Sequence, residues 1–132
     1  MIDTNETICV LDDDASVRSS IAHLLDSDGL TAQTFEHADD FLAHAARHQV
    51  ALAVLDVWLP QASGLAVQHR LRQLSPGTRV IVMTAREQPG IRDAALAGGA
   101  AAFLVKPFDD QAFIALIRRA LDPGASSAAR AL

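Results

Sequence analysis

The sequence predicts an α/β fold: a doubly wound sheet of five parallel strands. Three observations carry that prediction. Five short apolar runs recur, at Ile8 to Leu11, Thr31 to Phe35, Val50 to Leu55, Val80 to Met83 and Ala101 to Val105. A helical pattern follows each run, and strand alternating with helix builds a parallel sheet through right-handed crossovers. The chain has 132 residues, of which 50% are hydrophobic, enough to bury one domain's core.

The first run, Ile8-Cys9-Val10-Leu11, is unbroken, as a strand covered on both faces requires. Cys9, the single cysteine, has no internal partner and is expected to be buried there. Val17, Ile21, Leu24 and Leu25 then fall at helical spacing, with Asp14 as the expected N-cap and Gly29 at the far end. The second run, Thr-Ala-Gln-Thr-Phe, is more polar and reads as an edge strand. Phe41, Leu42 and Ala45 mark a second helix. His44 and His48 lie four apart on it and could chelate a metal, but Arg47 and Gln49 beside them make a solvated face the expected reading.

The third run reads as a covered strand ending at Asp56. Val67, Leu71 and Leu74 form the third helix, stopped by Pro76-Gly77. The fourth run ends at Thr84, and an alanine-rich helix around Ile91 to Ala97 closes at Gly98-Gly99. The fifth run ends at Lys106 and is also expected to be covered on both faces. Phe113, Leu116, Ile117 and Ala120 make the last helix, capped by Asp109 or Asp110. Residues 1–121 are expected to form the domain, and 122–132 a flexible tail or linker stub.

The formal net charge of -5 argues against a nucleic-acid-binding face, which needs a basic excess. No run approaches the ~20 apolar residues that span a bilayer. The first residues are polar, unlike a secretory signal. A cytoplasmic protein without membrane contact is expected.

The chemistry collects where strands end. Asp12, Asp13 and Asp14 follow the first run, Asp56 the third, Thr84 the fourth and Lys106 the fifth. In a parallel sheet these ends share one edge, where ligand sites form. Carboxylates gathered there repel one another, and burial adds to the cost. A hard divalent cation relieves it. An all-oxygen set favours Mg²⁺, with Mn²⁺ able to substitute, over zinc. Lys106 at the same rim implies a second anion, and metal, ammonium and hydroxyl together suit a phosphoryl group. Neither Gly-x-Gly-x-x-Gly nor Gly-x-x-x-x-Gly-Lys-Ser/Thr occurs. The phosphoryl group is therefore expected to be carried covalently, with Asp56 as nucleophile.

Val-Leu-Asp-Asp-Asp at 10–14, Val-Leu-Asp-Val-Trp-Leu-Pro at 54–60, Ser63-Gly64, Met-Thr-Ala at 83–85 and Val-Lys-Pro-Phe at 105–108 together resemble the receiver domains of two-component response regulators. The resemblance covers about residues 7 to 121. It implies a flavodoxin-like, CheY-like sheet with strand order 2-1-3-4-5. It implies phosphoryl transfer from a sensor histidine kinase to Asp56. Asp13 and Asp56 would hold Mg²⁺ directly, with Asp12 helping through water and the Trp58 backbone carbonyl as a further ligand. Lys106 would pair with a phosphoryl oxygen, Thr84 would bond the phosphoryl group, and Ala85 would offer a backbone N–H. Phe103 matches the aromatic switch position, and Lys106-Pro107 would be cis. The face of the fourth helix, fifth strand and fifth helix would then repack, for a homodimer or another partner.

Asp-Asp-Asp-Ala-Ser-Val-Arg and the closing Lys-Pro-Phe-Asp are most similar to receivers of the FixJ/NarL type, which usually carry a C-terminal helix-turn-helix. That implies transcription control, with DNA reached only through such a domain, which is expected to lie outside this stretch of sequence. Trp58 is bulky for its place two residues past Asp56. The resemblance implies that it influences water access to the acyl phosphate, and shielding is the expectation. Arg86, two past Thr84, is the other position of this kind. An aspartyl phosphohydrolase would need a second acid where Trp58 stands, and room for a cap domain. A docking module that is never phosphorylated would have lost Asp56, Lys106 or an acid.

Overall fold

The computed structural model describes residues 7–122. The expected tail lies outside the described residues apart from Asp122, as do residues 1–6. Ten elements alternate along the chain: β1 (Thr7–Leu11), α1 (Ala15–Ser27), β2 (Thr31–Phe35), α2 (Ala38–Arg47), β3 (Leu52–Asp56), α3 (Gly64–Leu74), β4 (Arg79–Thr84), α4 (Ile91–Ala97), β5 (Ala102–Val105) and α5 (Asp110–Leu121). The strands form one sheet in the order β2-β1-β3-β4-β5, all parallel, as the resemblance implied.

Alternation along each strand divides the core in two. Ile8 and Val10 face α1 and α5, packing with Ile21, Leu25, Phe113 and Ile117. Cys9 and Leu11 face the other way, with Phe41, Leu71, Ile91 and Phe103 on the side of α2, α3 and α4. β1 after Thr7 and β3 before Asp56 are therefore apolar, because both faces of each strand are covered. Cys9 is 0% exposed.

β2 is the polar edge strand expected. β5 departs from expectation: of its four residues only Phe103 is buried. It is the opposite edge of the sheet, and an apolar run does not say which side of it a neighbour will take.

The helix ends follow from local chemistry. Asp14 accepts hydrogen bonds from the Ser16 and Val17 amides, and Asp109 accepts from Ala112. Gly29 takes φ +78° past the end of α1, a left-handed geometry that costs other residues more. α4 has only seven residues and no side-chain cap at its start. Its far end is completed by α3. Buried Gln68 donates from Nε2 to the Ala95 carbonyl at 2.9 Å, and Arg72 donates to the Gly98 carbonyl at 3.3 Å. A Cβ on Gly98 would lie 2.9 Å from Gln68 Nε2, so the missing side chain makes room for that bond.

Candidate functional site

The C-terminal ends of β1, β3, β4 and β5 meet at one rim and bring Asp12, Asp13, Asp56, Thr84 and Lys106 together. Backbone bonds stitch these ends to one another: Val57 donates to the Met83 carbonyl at 2.9 Å, and Lys106 to the Thr84 carbonyl at 2.7 Å. Lys106-Pro107 is cis.

Asp12 is 1% exposed, and both its carboxylate oxygens are engaged. Oδ1 accepts from the Asp14 amide at 2.9 Å, and Oδ2 accepts from Lys106 Nζ at 2.8 Å. Arg18 secures the turn by donating to the Asp12 carbonyl at 2.8 Å. Arg18 closes the Asp-Asp-Asp-Ala-Ser-Val-Arg stretch, but that pattern does not reveal the bond it makes back to Asp12.

Asp56 is 4% exposed, yet among the described residues its Oδ1 has no hydrogen-bond partner. Lys106 Nζ stands 3.6 Å away, close enough to attract but too far to bond. Burial, then the Asp12 charge, pushes the Asp56 carboxyl up to about 6, and Lys106 only partly opposes them. Burial pulls Lys106 down, but its bond to Asp12 and the Asp56 charge outweigh that and leave its pKa above the ordinary value.

One carboxylate oxygen each from Asp12, Asp13 and Asp56 lies within 4.8 Å of the others. Asp13 is exposed and borders a cleft of about 180 Å³ that runs under Leu59 and Pro60. An oxygen-only set, open on one side and holding a buried unpartnered oxygen, fits a hard divalent cation.

Gly64 explains how Asp56 is held. A Cβ there would collide with the Asp56 carbonyl oxygen and lie 2.9 Å from Val57 Cα. The Gly64 amide donates to the Val57 carbonyl at 2.8 Å, and Trp58 pairs with Ser63 across the loop. The first turn of α3 thus presses on the backbone that carries Asp56. The pair Ser63-Gly64 was visible in the sequence, but the close approach behind it was not.

Thr84 is fully buried, and its hydroxyl donates to the Arg86 carbonyl at 2.8 Å. The Trp58 indole N–H donates to that same carbonyl at 2.8 Å. Trp58 and Arg86 each stood out singly in the sequence, but their separation of 28 residues hid the contact. Ala85 is exposed beside them. The Phe103 ring is buried, with the Arg92 guanidinium 4.8 Å from its centre.

His44 departs from the solvated face expected for it. Its ring is half-buried, 5.3 Å from that of Phe35 and stacked 4.5 Å from His48. Nε2 is buried with no partner among the described residues. Burial, then His48, holds its pKa below the usual imidazole value. The α2 periodicity placed His44 one turn from Phe41, but β2 is polar and gave no sign that Phe35 would cover the ring. His48 is exposed, as expected.

Among the described residues no helix is long and apolar enough to cross a membrane. Comparison with known proteins agrees with the geometry. The chain is 40% identical over 112 residues to the transcriptional regulatory protein FixJ of Azorhizobium caulinodans, covering 85% of this chain and 53% of that one. It spans 24% to 53% of the length of the curated relatives it matches. The beryllofluoride-activated NtrC4 receiver domain dimer superposes with a TM-score of 0.83 at 29% identity, over 87% of this chain and 95% of that one. A Burkholderia pseudomallei response regulator, solved with a phosphorylated aspartic acid, calcium ion and citrate, does so at 0.78 and 25%, over 95% and 71%. The family profile described as the response regulator receiver domain matches residues 8–118, from β1 into α5. A match of that extent, on this strand order, makes the chain a member of the receiver-domain family of two-component response regulators.

Proposed function

We propose that Asp56 accepts a phosphoryl group from the phosphohistidine of a sensor histidine kinase, and that this modification switches the face formed by α4, β5 and α5. The observation that carries the reading is the buried, unpartnered Oδ1 of Asp56, set between two other carboxylates and an ammonium. A receiver is a signalling domain, so the reaction alters the protein itself.

Asp12, Asp13 and Asp56 would hold Mg²⁺ or Mn²⁺, with the Trp58 backbone carbonyl as a further ligand. The bound cation would supply positive charge to the phosphoryl oxygens. A carboxylate oxygen of Asp56 bonds to phosphorus as the phosphorus–nitrogen bond to the donor imidazole breaks, and the electron pair leaves with the ring. Lys106 meets the charge that develops on the phosphoryl oxygens. The acyl phosphate then presents acceptor oxygens to the Thr84 hydroxyl and the Ala85 amide. Once Thr84 turns toward them, Phe103 repacks and the outer face changes.

The FixJ likeness supports control of transcription through a DNA-binding domain on the same protein, and the NtrC4 dimer supports phosphorylation-dependent pairing of two copies. With a small-molecule phosphodonor and Mg²⁺, intact-protein mass spectrometry should show one phosphoryl group on the wild type and none on Asp56→Asn or after chelation. Label persisting on Asp56→Asn would overturn the reading. Sustained hydrolysis of simple phosphate esters would favour a phosphohydrolase instead.

A further inference from the structure

Thr84 and Trp58 share one acceptor, the carbonyl oxygen of Arg86. The Thr84 hydroxyl donates to it at 2.8 Å, and the Arg86 amide returns a bond to Thr84 Oγ1 at 3.0 Å. The Trp58 indole N–H donates to the same oxygen at 2.8 Å. The Arg86 guanidinium lies 4.7 Å from the indole ring centre and holds the ring in place by cation–π attraction. A carbonyl oxygen has two lone pairs and can keep both donors at once.

A hydroxyl has a single hydrogen to give. If Thr84 is to donate toward a phosphoryl group on Asp56, it must release the Arg86 carbonyl. A carbonyl losing its sole protein donor resists that release. Here the indole N–H stays behind and keeps the carbonyl bonded, while the loop holds its position. We infer that Trp58 is a positioning residue for Thr84: its N–H takes over the Arg86 carbonyl and frees the threonine hydroxyl to turn. The inference rests on reading Asp56 as the phosphoacceptor. It assigns the work to one N–H, where shielding would assign it to the bulk of the ring.

The two are separable by chemistry. Trp58→Phe keeps an aromatic ring and removes the donor. Trp58 is the single tryptophan, so it can also be replaced biosynthetically by its benzothiophene isostere, which keeps the bicyclic shape without the N–H. Fluorine NMR would follow the binding of beryllofluoride with Mg²⁺ to the wild type, to both replacements, and to each of them combined with Thr84→Val. Both replacements should weaken binding roughly 3- to 10-fold, the worth of one hydrogen bond. With Thr84→Val present they should cost nothing further, because no hydroxyl remains to be released. Unchanged or tighter binding in either replacement, or an equal loss with and without Thr84, would overturn the inference. A wild type that fails to bind beryllofluoride at all would sink the phosphoacceptor reading, and the inference with it, and the wild-type titration shows that by itself.

Discussion

Asp56 is held where its charge is least welcome. Its carboxyl sits near pKa 6 against an ordinary 3.8, raised first by burial and then by Asp12. A folded-state value above the unfolded one means that the folded protein binds the proton more tightly. The cost of the charged form is therefore fully present above about pH 6, and it fades as pH falls toward 4. Asp56→Asn should stabilise the metal-free protein by roughly 1–3 kcal/mol near neutrality. Urea melts across that window would check it, and a gain that does not shrink at low pH would contradict the account. Added Mg²⁺ should narrow the gap, because a cation bound only by the folded state stabilises it, and does so more where the carboxylate remains.

At the scale of elements, the close packing between α3 and the end of β3 makes its own prediction. Gly64→Ala would force a methyl group into the Asp56 carbonyl. Backbone cannot yield as a side-chain tip can, so a loss of about 1–3 kcal/mol is expected in chemical denaturation. Beryllofluoride binding should fall with it, because the displaced atoms carry Asp56. A neutral Gly64→Ala would show that the loop relaxes freely. The same elements show how far the sequence could be read. β1 and β3 were legible because strands covered on both faces are near-continuously apolar, and β2 because its polarity marks an edge. β5 was misjudged as covered because four apolar residues look alike in the centre and at the rim. Gln68 was invisible because a polar residue on a helix reads as surface, yet it is 3% exposed and completes α4.

For the whole molecule, the convergence of Asp12, Asp13, Asp56, Thr84 and Lys106 was legible because topology enforces it: every parallel strand must end on the same side. What the sequence could not supply were distances, such as the 2.8 Å and 3.6 Å that separate Lys106 from Asp12 and from Asp56. Cys9 offers a probe of the entire fold. It lies on β1 between β2 and β3, and burial pushes its thiol up to about 12. Labelling of a thiol buried on a central strand should proceed only through global opening. Its rate should track unfolding free energy across denaturant concentration, and Mg²⁺ should slow it. Rapid labelling under native conditions would contradict the packing.

A helix of seven residues has little capacity to persist by itself, and α4 draws its closing hydrogen bonds from the side chains of Gln68 and Arg72. Those two bonds tie its far end to α3, and its near end begins at Gly90, beyond the loop that carries Arg86. On the proposed switch, a disturbance beside the carboxylates would reach the outer face through the loop that leads into α4, while the far end of that helix stays tied to α3.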